Sequence, residues 1–325
     1  MVATARWATR RAADLIRSST ADVALTRTWK PASGHGQELK DAVFQLDLLK
    51  GKRILVTGGG TGLGRSMSHR FLELGANVVI CGRREDVLEQ TAEELTKETG
   101  AEIETVRCDV RLPDAVEAMM DRIWQKRPLD ILVNNAAGQI LAPTHKMSSR
   151  AIDAVLGIVL HGSAYCTVAA GRRWIDAGER NKVVMSILTV SALLGAPFTV
   201  PSAMAKAGVL AMTKSLAVEW GPRGIRTCAI VPGLFPTEGA WSRLMPKERG
   251  GDEELVKTIP LRRVGEHIEL ANLAAFLVSD GAAYINGDAV VIDGGKMQSG
   301  GGGASTQSML DWTDEQWEAI RPKKK

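Results

Sequence analysis

The stretch Thr57-Gly58-Gly59-Gly60-Thr61-Gly62-Leu63-Gly64 lies between an apolar strand, Arg53–Thr57, and an amphipathic helix predicted over 62–74. Glycines here permit a tight turn and let backbone N–H groups approach a pyrophosphate at a helix N-terminus. A plain structural turn would use glycines too. A glycine-rich turn between a strand and a helix is, however, typical of a dinucleotide-binding unit.

The same alternation of strand and helix continues along the chain. Further strands are predicted at 77–81, 102–107, 130–133, 182–187, 225–231 and 288–292, and further helices at 85–98, 113–126, 150–177, after Pro201 and at 266–279. Continuous apolar strands separated by helices of about a dozen residues indicate a parallel sheet that is covered on both faces. We therefore expect an α/β protein: a single doubly wound Rossmann domain with a seven-stranded parallel sheet.

This domain is predicted to occupy 43–298. It follows a basic N-terminal extension over 1–42 and precedes a segment, 299–325, that contains a Gly-rich linker (299–305) and a short helix. Thr313 and Gln316 have the spacing of a capping box that opens this helix. The connection 232–257, rich in Pro, Gly and charge, is a candidate lid, because ligands of such folds bind beyond the carboxyl ends of the strands.

The excess positive charge lies at the two ends of the chain. The net charge is +4, residues 1–40 hold seven Lys or Arg against three Asp or Glu, and residues 321–325 hold four cations and no acid. A nucleic-acid-binding protein usually carries its basic residues on the folded body. We therefore exclude nucleic acid as a partner.

The four cysteines form no C-x-x-C motif and no close pair, which argues against a metal or redox site. On or beside strands, a free cysteine behaves as a small apolar residue. We expect no apolar run that approaches the ~18 residues of a membrane span, and therefore no transmembrane segment.

The end of the second strand indicates which dinucleotide binds. NAD sites place an acid there for the adenosine ribose, whereas this chain has Arg83 and Arg84, with Glu85 already in the next helix. Two arginines suit the 2′-phosphate of NADP(H) through charge-assisted hydrogen bonds. The alternative is a solvated charge pair, which the helix dipole mildly disfavours. We predict NADP(H), and no metal.

Other motifs follow the later strands: Cys108-Asp109-Val110, Asn134-Asn135-Ala136-Ala137-Gly138, Pro232-Gly233 and Asp293-Gly294-Gly295. Together with the glycine-rich turn they resemble the short-chain dehydrogenase/reductase family. Within it, the chain is most similar to the 2,4-dienoyl-CoA reductases. The similar stretches are 201–209 (PSAMAKAGV), 237–243 (TEGAWSR), 269–277 (ELANLAAFL) and 314–317 (DEQW), and the resemblance covers about 43–321.

The resemblance implies roles for individual residues. Asp109 would bond the adenine, Lys206 would hold the nicotinamide ribose, and an acyl-CoA thioester would meet Arg111, Ser148 and Arg243. The full set of implied cofactor-binding residues is Gly58, Gly60, Thr61, Gly62, Leu63, Gly64, Arg83, Arg84, Asp109, Val110, Asn134, Ala136, Lys206, Pro232, Gly233 and Phe235. We also expect a homo-oligomer, a tetramer.

The chain departs from the family at the catalytic positions. Ordinary members have a Tyr four residues before the lysine, where this chain has Ser202, and Thr189 replaces the usual partnering Ser. Ser202 and Lys206 share a face of their predicted helix. A serine hydroxyl is far too weak an acid to replace the phenol, which argues against reduction of simple ketones or 3-oxoacyl groups.

Dienoyl-CoA reduction depends mainly on hydrogen-bond donation to the thioester oxygen. The similar mitochondrial reductases have a Tyr and an Asn at the positions of Ser191 and Gln139 here. Gln139 keeps an amide donor on a longer arm, whereas Ser191 is shorter than Tyr by most of a ring. The predicted catalytic set is therefore Lys206, Ser202, Gln139, Thr189 and Ser191.

We predict an NADPH-dependent enzyme that reduces a 2,4-dienoyl-CoA, or a related enoyl-CoA, in the β-oxidation of unsaturated fatty acids. Two alternatives stay open: a cofactor-binding pseudoenzyme or structural subunit, and a dehydrogenase of another CoA-linked or polycyclic substrate. The first twenty residues are rich in Arg, Ala, Ser and Thr and carry one acid, Asp14, as in a mitochondrial transit peptide. This predicts the mitochondrial matrix, and the alternative is a basic extension on a cytoplasmic enzyme.

Overall fold

The structure is a computed structural model that describes residues 44–237, 255–300 and 307–321. The extension 1–42, Arg243 and most of the candidate lid lie outside these residues. The description below concerns the described ranges.

Seven strands form one parallel sheet, as the sequence predicts. They are β1 (Arg53–Thr57), β2 (Asn77–Gly82), β3 (Ile103–Arg107), β4 (Ile131–Asn134), β5 (Lys182–Ile187), β6 (Ile225–Pro232) and β7 (Ala289–Ile292). Their order is β3-β2-β1-β4-β5-β6-β7, and every neighbouring pair is parallel. The order reverses between β1 and β4, and a crevice for ligands forms at such a switch point.

Helices cover both faces of this sheet. They are α1 (Gly62–Glu73), α2 (Glu85–Thr99), α3 (Pro113–Lys126), α4 (Ser149–Leu156), α5 (Gly162–Asp176), α6 (Ser191–Leu194), α7 (Val200–Trp220), α8 (His267–Val278), α9 (Lys296–Gly300) and α10 (Asp314–Ala319). The central strands are apolar throughout because both faces are buried: Ile54 and Val56 pack into the core on one side, and Leu55 into the core on the other.

The long helix expected over 150–177 is interrupted. A π-helical turn, Gly157–His161, joins α4 to α5, and such turns are frequent at functional sites. The short helix α6 is absent from the sequence-based prediction, because four residues are too few to show a helical period.

The helical segment Ser149–Asp176 is long and apolar enough to cross a membrane, with a mean hydropathy of 1.5 over its best window. The sequence-based statement that no run approaches this length was wrong, since 154–171 contains no Asp, Glu, Lys or Arg. Half of that window is buried within the protein. Its own side chains Cys166, Ala170 and Trp174 lie in the core, which is the placement of a core helix.

Two smaller expectations have different outcomes. The capping box is confirmed, since Thr313 N–H donates to Gln316 at 2.8 Å and Gln316 N–H donates back at 3.5 Å. The Gly-rich linker, by contrast, does not begin at Ser299, because α9 includes this residue and its hydroxyl donates to the Lys296 carbonyl at 2.9 Å. Residues 301–306 lie outside the described ranges.

Candidate active site

The glycine-rich turn connects β1 to α1 at the switch point. Gly58 and Gly62 have φ of 65° and 53°, a left-handed backbone that favours glycine. A Cβ on Gly64 would lie 2.4 Å from the Gly58 carbonyl oxygen and 2.5 Å from Asn135 Nδ2. The helix therefore begins as close to the turn as backbone atoms allow. The first N–H groups of a helix have no acceptor within the helix, so they can bind an anion at this point.

Two polar residues hold this turn against the loop after β4. Thr57 Oγ1 accepts hydrogen bonds from the N–H groups of Asn135 and Ala136 at 2.9 and 3.0 Å. Asn135 Nδ2 donates to the carbonyls of Thr57 and Gly58 at 2.9 and 3.2 Å. Sequence reasoning missed both roles, although Asn135 lies in the motif that carried the resemblance.

A cavity of about 160 Å³ opens beside the turn. Several predicted cofactor residues line it, from four separate segments of the chain: Gly58, Gly60, Thr61, Arg83, Arg84, Asp109, Val110 and Ala136. Both arginines are exposed, and neither forms a salt bridge within the part of the chain that the structure describes. The arrangement fits the adenosine half of a dinucleotide, with two free cations at one end.

Asp109 is already engaged in this cavity. Arg111 Nε donates to both of its carboxylate oxygens, at 2.9 and 3.0 Å, and the Arg111 backbone N–H donates at 3.1 Å. These hydrogen bonds, with a smaller contribution from the charge of Arg83, hold the pKa of Asp109 below its ordinary value. Arg111 is predicted to contact the acyl-CoA. The structure places it at the adenosine end, where it bonds Asp109, the residue predicted to bond the adenine.

The other predicted substrate residues lie elsewhere. Ser148 is the N-cap of α4, and its hydroxyl oxygen accepts from the Ala151 N–H at 3.2 Å. Its O–H is not used by that bond, so the cap leaves a donor. Arg243 lies outside the described residues.

Lys206 and Ser202 lie one turn apart on α7, and both are buried. Lys206 Nζ donates to the Ile187 carbonyl at the end of β5. Burial lowers the pKa of Lys206 to about 8, because an ammonium group loses hydration in the interior. The lysine is therefore mostly protonated at neutral pH and loses its proton near pH 8.

The remaining predicted catalytic groups lie on other segments of the chain. Thr189 Oγ1 and Ser191 Oγ are 3.3 Å apart, and the Ser191 N–H also points to Thr189 Oγ1 at 3.3 Å. Ser191 is the first residue of α6, and Gln139 is exposed on the loop after β4. The structure shows no hydrogen bond from Gln139 to another described residue.

Helix α7, which carries Ser202 and Lys206, contains no tyrosine. The chain contains two tyrosines. Tyr165 on α5 lies beside His161, with ring centroids 6.1 Å apart, and Tyr284 is fully exposed beyond α8. His161 is itself exposed.

The four cysteines are free and buried. Burial raises the pKa of Cys108 to about 11, so the thiol stays protonated and apolar. Within the described ranges, no group of three His, Cys, Asp or Glu side chains could hold a metal ion.

A family model described as enoyl-(acyl carrier protein) reductase matches residues 58–296. The chain belongs to the short-chain dehydrogenase/reductase family. It is an oxidoreductase of this family with a site for a nicotinamide dinucleotide, and the resemblance to the 2,4-dienoyl-CoA reductases is confirmed.

Individual family members are similar over most of the chain. An uncharacterized oxidoreductase of Caenorhabditis elegans is 44% identical over 273 residues, 83% of this chain and 87% of that protein. A protein of the same organism named probable 2,4-dienoyl-CoA reductase 3 is 43% identical over 272 residues, 83% of this chain and 88% of its own. A solved short chain dehydrogenase of Bacillus anthracis is 40% identical, with a TM-score of 0.68, and covers 75% of this chain and 96% of its own.

Proposed function

We propose that this short-chain dehydrogenase/reductase catalyses the NADPH-dependent reduction of a 2,4-dienoyl-CoA, or a related enoyl-CoA, in the β-oxidation of unsaturated fatty acids. The observation that carries the proposal is Ser202, buried one turn before the buried Lys206, where carbonyl reducers of the family have a phenol. The relative named as a 2,4-dienoyl-CoA reductase supports the same substrate class.

NADPH is proposed rather than NADH. Arg83 and Arg84 lie on the wall of the adenosine cavity, are exposed and form no salt bridge in the described residues. A 2′-phosphate would give each an anionic partner through charge-assisted hydrogen bonds. The first acid of the segment, Glu85, belongs to the first turn of α2.

Catalysis follows from charge that develops on the substrate. Bound NADPH would supply a hydride to the distal end of the conjugated diene. Negative charge then appears on the thioester oxygen, and preorganised donors stabilise it. The chain offers the Gln139 amide and the hydroxyls of Thr189, Ser191 and Ser202. A proton from water, added to a carbon of the former diene, would complete the reduction.

Lys206 contributes a charge. Its buried ammonium group, close to the Ile187 carbonyl, would hold the ribose next to the nicotinamide and keep a positive field near the reacting atoms. Ketone reduction would need the same lysine to activate an acid four residues earlier, and Ser202 is not one.

A substrate panel tests this function. Purified protein with NADPH receives 2,4-dienoyl-CoA, 2-enoyl-CoA and 3-oxoacyl-CoA, and the product is identified by mass. We expect reduction of the conjugated thioester and poor turnover of the 3-oxoacyl substrate. Preferred 3-oxoacyl reduction would contradict the proposal. NADPH binding without any turnover would favour the pseudoenzyme.

We also propose a homo-oligomer, a tetramer, located in the mitochondrial matrix. Apolar side chains are exposed on two adjacent helices: Val168 on α5, and Met204 and Val218 on α7. Light scattering of the wild type and of Met204→Asp/Val218→Asp tests the assembly, since two charges on these helices should lower the measured molar mass.

Imaging a fluorescent fusion tests the location in the mitochondrial matrix. A cytoplasmic signal would support the alternative, a basic extension on a cytoplasmic enzyme.

A further inference from the structure

The loop that leaves β6 runs past the cofactor site, over residues 234–237. The segment before α8 fastens it. Gly265 N–H donates to the Leu234 carbonyl at 2.9 Å. A Cβ on Gly265 would lie 2.3 Å from the Phe235 ring. The two segments are therefore in close contact at Leu234 and Phe235.

His267, the first residue of α8, holds the next part of this loop. Its Nε2 lies 2.6 Å from the Pro236 carbonyl oxygen, and its Nδ1 lies 2.8 Å from Ser66 Oγ on α1. A carbonyl can only accept, so Nε2 carries a proton and donates it to Pro236. Ser66 Oγ has one hydrogen, which lies within reach of both His267 Nδ1 and the Gly62 carbonyl. One half-buried ring thus joins the loop to the helix that follows the glycine-rich turn.

The residue after Pro236 lies on the dinucleotide turn itself. A Cβ on Gly62 would be 3.2 Å from Thr237 Cγ2, and the Ser66 hydroxyl is also 3.1 Å from the Gly62 carbonyl. Gly62 begins α1, where a pyrophosphate binds. Thr237 therefore packs directly against the first residue of that helix.

We infer that His267 is a positioning residue for the cofactor. Its ring contacts Pro236 on one side and Ser66 on the other. It thereby holds the loop 234–237 against the N-terminus of α1, where the dinucleotide would bind. The inference rests on the proposed function only in taking the ligand to be a nicotinamide dinucleotide. It concerns the pyrophosphate region, which NADH and NADPH share, and is separate from Arg83 and Arg84.

The experiment measures affinities for NADPH and NADH by fluorescence titration, with melting temperatures for each variant. His267→Ala should weaken binding of both dinucleotides by roughly tenfold, the effect of one lost hydrogen bond of ordinary strength. His267→Gln places an amide N–H near the Nε2 position and should restore most of the affinity. In steady state, KM for NADPH should rise more than kcat falls.

His69→Ala is the matched control. His69 lies on α1 one turn after Ser66, and its ring contacts Glu73 and Glu98 at 3.7 and 3.3 Å. Its removal should leave both affinities unchanged. Equal weakening by His69→Ala and His267→Ala would overturn the inference, because the effect would then be general destabilisation.

Ser66→Ala keeps the inference testable even if His267→Ala does not fold. It should weaken binding by roughly threefold without lowering the melting temperature, and adding it to His267→Ala should cost nothing further, since the two residues share one connection. If Ser66→Ala and His267→Ala, each as a single variant, both bind NADPH and NADH as tightly as the wild type, the inference is overturned. Failure of the NADPH preference would instead contradict the proposed function, because this connection acts on NADH equally.

Discussion

The adenosine end of the site and its catalytic end are built differently. At the adenosine end, the turn after β1, the end of β2 and the loops after β3 and β4 converge on one cavity. At the catalytic end, Lys206 and Ser202 share α7, while Gln139 and Ser191 come from other segments. The glycine-rich turn is built from backbone atoms in close contact, whereas the predicted catalytic set consists of side chains. A dinucleotide site therefore does not reveal which substrate is reduced.

The largest effect is expected at the adenosine end. Gly64→Ala should abolish detectable NADPH binding, a loss above about a hundredfold, because its Cβ would lie 2.4 Å from the Gly58 carbonyl oxygen. Gly82→Ala is the control from the same cavity, since its Cβ would lie 3.5 Å from the Leu88 side chain, an ordinary contact. Similar fluorescence titrations for the two variants would show that close backbone packing does not form the site.

At the catalytic end, pH should matter through Lys206. Its pKa of about 8 lies below the ordinary 10.5, so kcat/KM should fall by roughly tenfold per pH unit above pH 8 if the cation is required. Between pH 8 and 10.5, Lys206 is protonated in the unfolded chain but not in the folded one. The free energy of unfolding should therefore increase with pH in this range. Lys206→Arg stays charged and should remove the fall in rate. A pH–rate profile of the variant that still falls above pH 8 would assign the titration to another group.

Cofactor choice should depend on the free cations. NADPH should bind at least about tenfold more tightly than NADH, and Arg83→Ala should remove most of the difference, since a charge-assisted hydrogen bond contributes about that much. Arg127→Ala is the control, because that arginine bonds the Gly51 carbonyl at 3.1 Å, away from the cavity. Equal affinities of the wild type for both cofactors would remove the basis of the NADPH proposal.

No effect is expected from the N-terminal extension. Deleting residues 1–35 should leave the melting temperature and the NADPH affinity unchanged, as is usual for a targeting segment that is not part of the fold. A large drop in melting temperature, measured on the same day against the full chain, would show that the extension packs on the domain.

The sequence predicts the sheet closely, because apolar runs and the helices between them are repeated signals. Lys182–Ile187 and Pro113–Lys126 have the predicted bounds. Local features with no period were missed: the π-helical turn Gly157–His161 and the four-residue helix at Ser191–Leu194. Neither segment is long enough to give a recognisable period of apolar residues in the sequence.

Sequence motifs point to residues on single segments, and contacts between side chains were not predicted. Asp109, from such a motif, lines the cavity, but its hydrogen bonds with Arg111 were not predicted. The contact of His267 with Ser66 joins positions 201 residues apart. No local spacing indicates such a pair, because it exists only once α1 and α8 pack together.

Single-turnover oxidation of NADPH with saturating 2,4-dienoyl-CoA tests the central claim most directly. We predict slow oxidation by the wild type, faster oxidation by Ser191→Tyr, which restores the phenol of the relatives, and a loss of ~10²–10³ in Gln139→Ala, the usual effect of removing an oxyanion donor. 3-Oxoacyl-CoA should remain a poor substrate for all three proteins. The account is contradicted if Gln139→Ala matches the wild type, or if every protein binds NADPH and none reduces the dienoyl thioester.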